Sequence, residues 1–196
     1  VTGGSTTQRE QMKSDTPWSY EKFAQRDICA RDEEGRLRTF KSKDESCYAL
    51  VRASDWYSTT NLHVSAGWVL EIEVPDGQMW FDASRINTAP VGDRGNFMMR
   101  LFGGLKRHDE PYFALMSNVV TCQAEIADKP GARQCNDVGA SKSSRILKSG
   151  HKMYVPATGE LAFYVNDAVF PIRWKDMFYW NNKGQVWVRI TLIAKD

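Results

Sequence analysis

The C-terminal part of the chain carries oxygen-bearing side chains in a pattern that could hold a hard metal ion. Residues 159–167 are typical of a strand ending in Asn166-Asp167, and Asn181-Asn182-x-Gly opens the last predicted strand. If these two strands were neighbours in a sheet, Asp167 would lie beside Asn181 and Asn182. One carboxylate and two amide oxygens suit Ca²⁺, which takes roughly 6–8 oxygens, so main-chain carbonyls, water or ligand hydroxyls would complete the shell. The same residue types also favour ordinary turns, and spacing alone favours the turn.

Residues for catalysis do not fall into a recognisable pattern. The three histidines, His63, His108 and His151, have neither HExxH spacing nor a nucleophile elbow beside them. Acidic residues that could pair for glycoside hydrolysis are spread over several loops, and their spacing favours no pair. We therefore expect a protein that is not an enzyme.

The four cysteines, Cys29, Cys47, Cys122 and Cys135, are a second chemical signal. Their spacings match neither a CxxC redox motif nor a zinc site, so disulfides are favoured over free buried thiols. Three pairings are possible, and the local one, Cys29 with Cys47 and Cys122 with Cys135, closes the shortest loops. Disulfides indicate an exported protein: periplasmic, at the cell surface or secreted.

Composition argues against two classes of partner. The 196 residues are 42% hydrophobic and 26% charged, which is typical of a globular domain. The formal net charge of +2 gives no general attraction for nucleic acid. No apolar run reaches the roughly 20 residues of a transmembrane segment. Basic clusters at 106–108 and 142–152 would suit an anionic glycan, although a solvated surface is the simpler interpretation.

Most of the elements that must position these residues are predicted to be β-strands. Alternating apolar residues predict strands around 68–74, 161–165 and 186–192, and turn signals such as Pro75-Asp76-Gly77 separate them. Many short strands with almost no helix predict an all-β fold, specifically a jelly-roll β-sandwich.

Two units are expected along the chain. Residues 1–47 form an N-terminal unit with a loose tail, a short helix over 16–27 and a connection closed by the first cysteine pair. Residues 48–196 form the sandwich domain, in which the polar stretch 121–150 is an insertion that bears the second pair.

The C-terminal motif resembles that of the bacterial calcium-dependent galactophilic lectins (PA-IL-like) and of the wider galactose-binding-domain-like jelly rolls. The shared features are Asn166-Asp167 at the end of one strand and the run Tyr179-Trp180-Asn181-Asn182-Lys183-Gly184 at the start of the last one. A weaker similarity extends upstream through Gly67-Trp68 and Trp80, so that the resemblance spans residues 56–194.

The resemblance implies a set of calcium ligands. Asp167, Asn181 and Asn182 take the positions that ligate through side chains, whereas Phe178 and Ala83 take positions that ligate through main-chain carbonyls. The loop between Asp167 and Asn181 is longer than in the small lectins and carries several bulky aromatic residues.

The first functional hypothesis is a carbohydrate-binding module with a carbohydrate or glycoconjugate as its partner. Sugar hydroxyls would complete the Ca²⁺ shell, Trp174 or Trp180 would pack on the sugar ring, and His108 would reach in from its loop. The alternative hypothesis is a structural or interaction subunit of a bacterial envelope or secretion assembly. In that case the jelly roll is a scaffold, and the N-terminal unit and the insertion bind other envelope proteins.

Overall fold

The computed structural model describes most of the chain from residue 26 onward. The described residues are 26–82, 85–92, 104–105, 110–123, 134–138, 144–146, 150–169 and 177–195. Apart from its last two residues, the helix expected over 16–27 lies outside these ranges, and so do Ala83, His108 and Trp174.

Strands account for nearly all of the regular structure in the described residues. In chain order they are β1 (Arg38–Thr39), β2 (Ser46–Arg52), β3 (Ser58–Val64), β4 (Val69–Glu73), β5 (Trp80–Asp82), β6 (Arg85–Thr88), β7 (Gly104–Leu105), β8 (Leu115–Cys122), β9 (Cys135–Asp137), β10 (Ser144–Arg145), β11 (His151–Tyr154), β12 (Gly159–Val165), β13 (Ala168–Val169) and β14 (Gln185–Ala194). A single turn of 3-10 helix covers Met177–Asn181. The all-β prediction is confirmed at this level.

Two sheets form the body of the protein. The smaller sheet has the order β11-β4-β14-β2, and all its pairs are antiparallel. The larger sheet has the order β1-β3-β12-β8, and both β9 and β10 pair with the far side of β8. Only the β1–β3 pair is parallel among these described pairs. The described parts of the 121–150 stretch therefore extend the larger sheet.

Alternating apolar side chains from both sheets meet in one core. In the smaller sheet, Leu70 and Ile72 of β4 are fully buried, and in the larger sheet Leu161 and Phe163 of β12 are fully buried against the same cluster. This period-2 burial is what a sandwich requires of its inner faces. The strands predicted around 68–74, 161–165 and 186–192 are confirmed as β4, β12 and β14.

An N-terminal strap (residues 26–39) runs from one sheet to the other. Ile28 bridges to Tyr48 of β2 in the smaller sheet, and β1 pairs with Leu62 and His63 of β3 in the larger sheet. The Cys29–Cys47 disulfide fixes the strap to β2. The strap therefore lies against the outer edges of two strands that are consecutive in the chain but belong to different sheets.

Ion pairs hold the strap in this path. Arg38 donates to both carboxylate oxygens of Asp27, with Nη2 at 2.7 Å from Oδ2, and these hydrogen bonds lower the pKa of Asp27. Arg31 Nη2 lies 3.9 Å from Oε2 of Glu160, a β12 residue that is 2% exposed. The Asn61 N–H donates to Oε1 of the same buried carboxyl group at 3.0 Å, so strap and β3 both contact it.

Both local disulfides are formed. Cys29 pairs with Cys47, and Cys122 pairs with Cys135 across the β8–β9 ladder. All four cysteines are thereby used, which selects the shortest-loop pairing among the three that the sequence allowed. No helix within the described residues is long and apolar enough to cross a membrane.

The two disulfides should respond differently to a thiol reductant applied to the folded protein. Cys122 and Cys135 are half-buried, whereas Cys29 and Cys47 are 3% and 0% exposed, and thiol exchange requires access to sulfur. We expect Cys122–Cys135 to be reduced first, as measured by alkylation and peptide mass mapping at increasing reductant. Alkylation of any cysteine in the untreated folded protein would contradict the pairing.

Candidate functional site at the sandwich rim

Asn166 fixes the chain where β12 ends. Its N–H donates to the Ala114 carbonyl at 2.8 Å, and its own carbonyl accepts from the Phe113 N–H at 2.8 Å. Its side-chain Nδ2 donates to the Pro111 carbonyl at 2.9 Å. Because Asn166 is fully buried and bonded in this way, it determines the position of Asp167, the next residue.

The 3-10 turn before β14 and the residue that follows it, Asn182, include both buried and exposed side chains. Tyr179 is fully buried and donates its hydroxyl to the Val165 carbonyl at 2.7 Å. Asn182 is 3% exposed, whereas Trp180 between them is 71% exposed and Asn181 is also exposed. The turn is therefore anchored by Tyr179 and Asn182 and presents Trp180 and Asn181 to solvent.

Asp167, Asn182 and Ala53 form a buried polar cluster. Asn182 Nδ2 donates to Asp167 Oδ2 at 2.8 Å and to the Ala53 carbonyl at 3.1 Å. The Ala53 N–H donates to the Gly184 carbonyl at 3.1 Å. These bonds bring residues 53–57, 165–167 and 179–184 together at one end of the sandwich, which we call the rim.

The contact between Asp167 and Asn182 forms by a different route from the one expected. The expectation required β12 and β14 to be neighbours in one sheet, but β12 pairs with β3 and β8 and β14 pairs with β2 and β4. The two strands belong to opposite sheets, and the contact is made across the end of the sandwich. Among the described residues, Asn181 makes no hydrogen bond to this cluster.

One atom of the cluster has no partner. Asn182 Oδ1 is buried and accepts no hydrogen bond within the described part of the chain, a state that costs about 1–3 kcal/mol. The two ends of an amide have nearly the same shape, so a half-turn of the amide exchanges them. After that half-turn, Oδ1 would lie with Asp167 Oδ2 and the Ala53 carbonyl around one point. In that orientation the three oxygens would be hard donors of the kind that Ca²⁺ takes, and further oxygens would have to complete its shell.

Within the described residues no cluster of three or more His, Cys, Asp or Glu side chains could hold a metal. A cation at the rim would therefore depend on amide and main-chain oxygens as well as on Asp167. Phe178, predicted to ligate through its carbonyl, lies within the 3-10 turn. Ala83, His108 and Trp174, the other predicted contacts, lie outside the described residues.

The loop between β2 and β3 adds an aromatic row that sequence inspection missed. The Trp56 ring lies 5.2 Å from the Tyr179 ring, and the Tyr57 ring lies 5.4 Å from the Tyr164 ring in an edge-on contact. The Trp56 and Tyr57 rings are 6.5 Å apart. Both are half-buried, and each packs on a tyrosine that is at most 1% exposed.

Tyr57 connects this row to β9 of the larger sheet. Its hydroxyl donates to Oδ1 of Asp137 and accepts from Asn118 Nδ2 at 3.4 Å. Burial, followed by the bond to Asp137, raises the pKa of Tyr57. Asp137 itself is exposed. Its carboxylate therefore faces solvent and is held in place by the protonated hydroxyl of Tyr57.

Burial and the nearby charge of Asp167 raise the pKa of Tyr179 well above its ordinary value of 10.0. Because the phenol is harder to ionise in the folded state, folding favours its protonated form. The stabilisation that results is fully present below about pH 10 and is lost as the pH rises toward the pKa of Tyr179 in the folded state. Between about pH 10 and the pKa in the folded state, each such tyrosine lowers the free energy of unfolding by about 1.4 kcal/mol per pH unit.

Replacing Tyr179 by Phe tests this dependence. At pH 7 we expect Tyr179→Phe to lower the free energy of unfolding by about 1 kcal/mol, because the hydrogen bond to Val165 is lost. Above pH 10 its stability should fall less steeply than that of the unsubstituted chain, as measured by urea unfolding over a pH series. Tyr154→Phe, at a position that is 60% exposed, is the control and should keep the original slope. Equal slopes for all three proteins would contradict a raised pKa at Tyr179.

No protein-family model matches the chain, and no curated protein matches it closely enough to indicate a relationship.

Proposed function

We propose that this chain is a non-enzymatic, lectin-like carbohydrate-binding module whose sugar site is the rim. The observation that carries the proposal is the 71% exposure of Trp180 on a turn whose neighbours Tyr179 and Asn182 are buried and hydrogen-bonded. A large ring held in solvent on an anchored turn suits a ligand that covers it. The apolar face of a sugar can do this, while its hydroxyls bond to the exposed amide of Asn181.

The jelly-roll topology, which is a finer description than a two-sheet sandwich, is part of the same proposal. It is supported by the resemblance of the C-terminal motif to that of the calcium-dependent galactophilic lectins. Asp167, Asn181 and Asn182 of that motif belong to segments that meet at the rim. His108 and Trp174 are retained in the proposal as sugar contacts from the loops that carry them.

Ca²⁺ is the proposed cofactor. Asp167 and Asn182 side chains with the Ala53 carbonyl would hold it after a half-turn of the Asn182 amide, which would bring the unbonded Oδ1 to the place that Nδ2 now occupies. When bound, the ion would supply a positive charge to which sugar hydroxyls can coordinate. Asp167 is 1% exposed, and a carboxylate shielded from water attracts a cation more strongly than one at the surface. Asn181, Phe178 and Ala83 are the further ligands that the resemblance implies.

Export to the periplasm, the cell surface or the medium is also part of the proposal. Two disulfides within one chain are compatible with an oxidising compartment and uncommon in a reducing one. Glycans of cell envelopes and secreted glycoconjugates are found in the same compartments.

A specific observation also supports the alternative of a structural or interaction subunit in an envelope or secretion assembly. In the described part of the chain, β11 pairs only with β4, so it forms an edge of the smaller sheet. Tyr154, its last residue, is 60% exposed. An edge strand with an exposed aromatic residue suits pairing with a strand of another protein.

Trp180→Ala separates the two functions. We expect this variant to lose retention on a glycan array while its melting temperature changes little, because the side chain is largely exposed. Tyr154→Ala is the matched control, since it removes an exposed ring of the edge strand, and it should retain glycan binding. If the unsubstituted chain binds no glycan, the lectin proposal is wrong; if only Tyr154→Ala affects capture of a purified partner, the scaffold function is favoured.

Calcium binding should raise the melting temperature of the unsubstituted chain. Binding to the folded state alone stabilises by mass action, about 2.7 kcal/mol at a hundred times the dissociation constant. We expect Asp167→Asn, which keeps the shape of the side chain but removes its charge, to abolish this rise. Asp44→Asn, at an exposed position joined to Leu192 by its N–H, should respond like the unsubstituted chain. No shift with millimolar Ca²⁺ in the unsubstituted chain would rule out the calcium site.

A further inference from the structure

The aromatic row of the β2–β3 loop is continuous with the rim. Ala53, in the same loop, bonds to both Asn182 and Gly184, so the loop cannot move independently of the turn that carries Trp180. Trp56 packs directly on Tyr179, the residue before Trp180 in the chain. Trp56 and the turn that carries Trp180 therefore lie at the same end of the sandwich.

Trp56 and Tyr57 are held in fixed positions while remaining half-exposed. Trp56 packs on Tyr179, and Tyr57 packs on Tyr164. The planes of the Trp56 and Tyr57 rings meet almost at right angles, at 82°. Rings that are already ordered lose little conformational entropy when a ligand covers them. This is the property expected of a stacking surface.

Asp137 supplies a polar group at the end of the row. Tyr57 bonds to Oδ1, which fixes the carboxylate beside the ring, and the side chain of Asp137 is exposed to solvent. A fixed carboxylate beside an aromatic ring can accept hydrogen bonds from neighbouring hydroxyls, and charge-assisted bonds of this kind are stronger than neutral ones. The same charge repels uronic and sialic acids.

We propose that Trp56, Tyr57 and Asp137 form a second sugar subsite, so that the ligand is a neutral oligosaccharide that spans Trp180 and this row. This inference rests on the proposed carbohydrate-binding function and deepens it by naming the class of ligand. One sugar unit lies on Trp180, and the next units lie on Trp56 and Tyr57 and donate hydroxyls to Asp137.

The test compares ligand length with variants at both subsites. The full chain is applied to a glycan array of neutral hexose mono-, di- and trisaccharides together with trisaccharides that contain uronic acid. Asp137→Asn should weaken binding of the neutral trisaccharides about tenfold, the loss expected for one charge-assisted hydrogen bond, and should leave monosaccharide binding unchanged. It should also improve binding of the uronic acid trisaccharides relative to the neutral ones.

Two further variants and a control keep the test independent of folding. Tyr57→Phe removes only the hydroxyl that fixes Asp137, and Trp56→Ala removes the ring; both should reduce trisaccharide binding selectively, with melting temperatures recorded alongside. Asp44→Asn should change nothing, because Asp44 bonds to Leu192, far along β14 from the rim.

The outcomes distinguish the two proposals. If Trp180→Ala abolishes binding but all three row variants bind trisaccharides like the unsubstituted chain, the second subsite is wrong and the proposed function stands. If the unsubstituted chain binds monosaccharides as tightly as trisaccharides, the row is again excluded. If no sugar binds at all, both proposals fail together.

Discussion

A buried carboxylate and a buried amide join the two sheets at one end of the sandwich. Asp167 follows β12 of the larger sheet, Asn182 precedes β14 of the smaller sheet, and one nitrogen of Asn182 bonds to both Asp167 and the Ala53 carbonyl. Because Ala53 belongs to the connection between β2 and β3, and Asp167 and Asn182 belong to the connection between β12 and β14, two crossings between the sheets meet at one point. The rim owes its shape to this contact: without it, the turn that exposes Trp180 would have one anchor fewer.

The same contact explains how buried and exposed side chains can be adjacent in a small region. Tyr179 fills the space beneath the turn and bonds to Val165, so the anchored residues are buried while their neighbour Trp180 is exposed. This arrangement leaves Oδ1 of Asn182 buried without a hydrogen-bond donor among the described residues, which is unfavourable locally. Natural structures tolerate few such atoms, and those that occur call for an explanation, such as an ion or a water molecule.

The sequence indicated much of the fold and part of the rim. Period-2 patterns identified β4, β12 and β14, because each strand has one face in the core. Asp167 and Asn182 were expected to meet on the condition that their strands were sheet neighbours, and they meet although β12 and β14 belong to opposite sheets. Periodicity reports burial and not which strands are neighbours. Ala53 was not identified because it acts through its carbonyl, and Trp56 and Tyr57 were not, because half-buried aromatics in a loop carry no spacing signal.

The path of the strap has a consequence for the order in which the protein folds. The strap, β2 and β3 are contiguous in the chain, whereas β12 and β14, which occupy interior positions in the two sheets, come from the C-terminal end of the described residues. A growing chain therefore holds β2 and β3 without their main partners until β12 and β14 have been made, and such non-local pairing is slow. During that interval the strap and the Cys29–Cys47 link can already protect one edge of each strand from other chains. An edge covered in this way is less open to pairing with other chains before the sandwich closes.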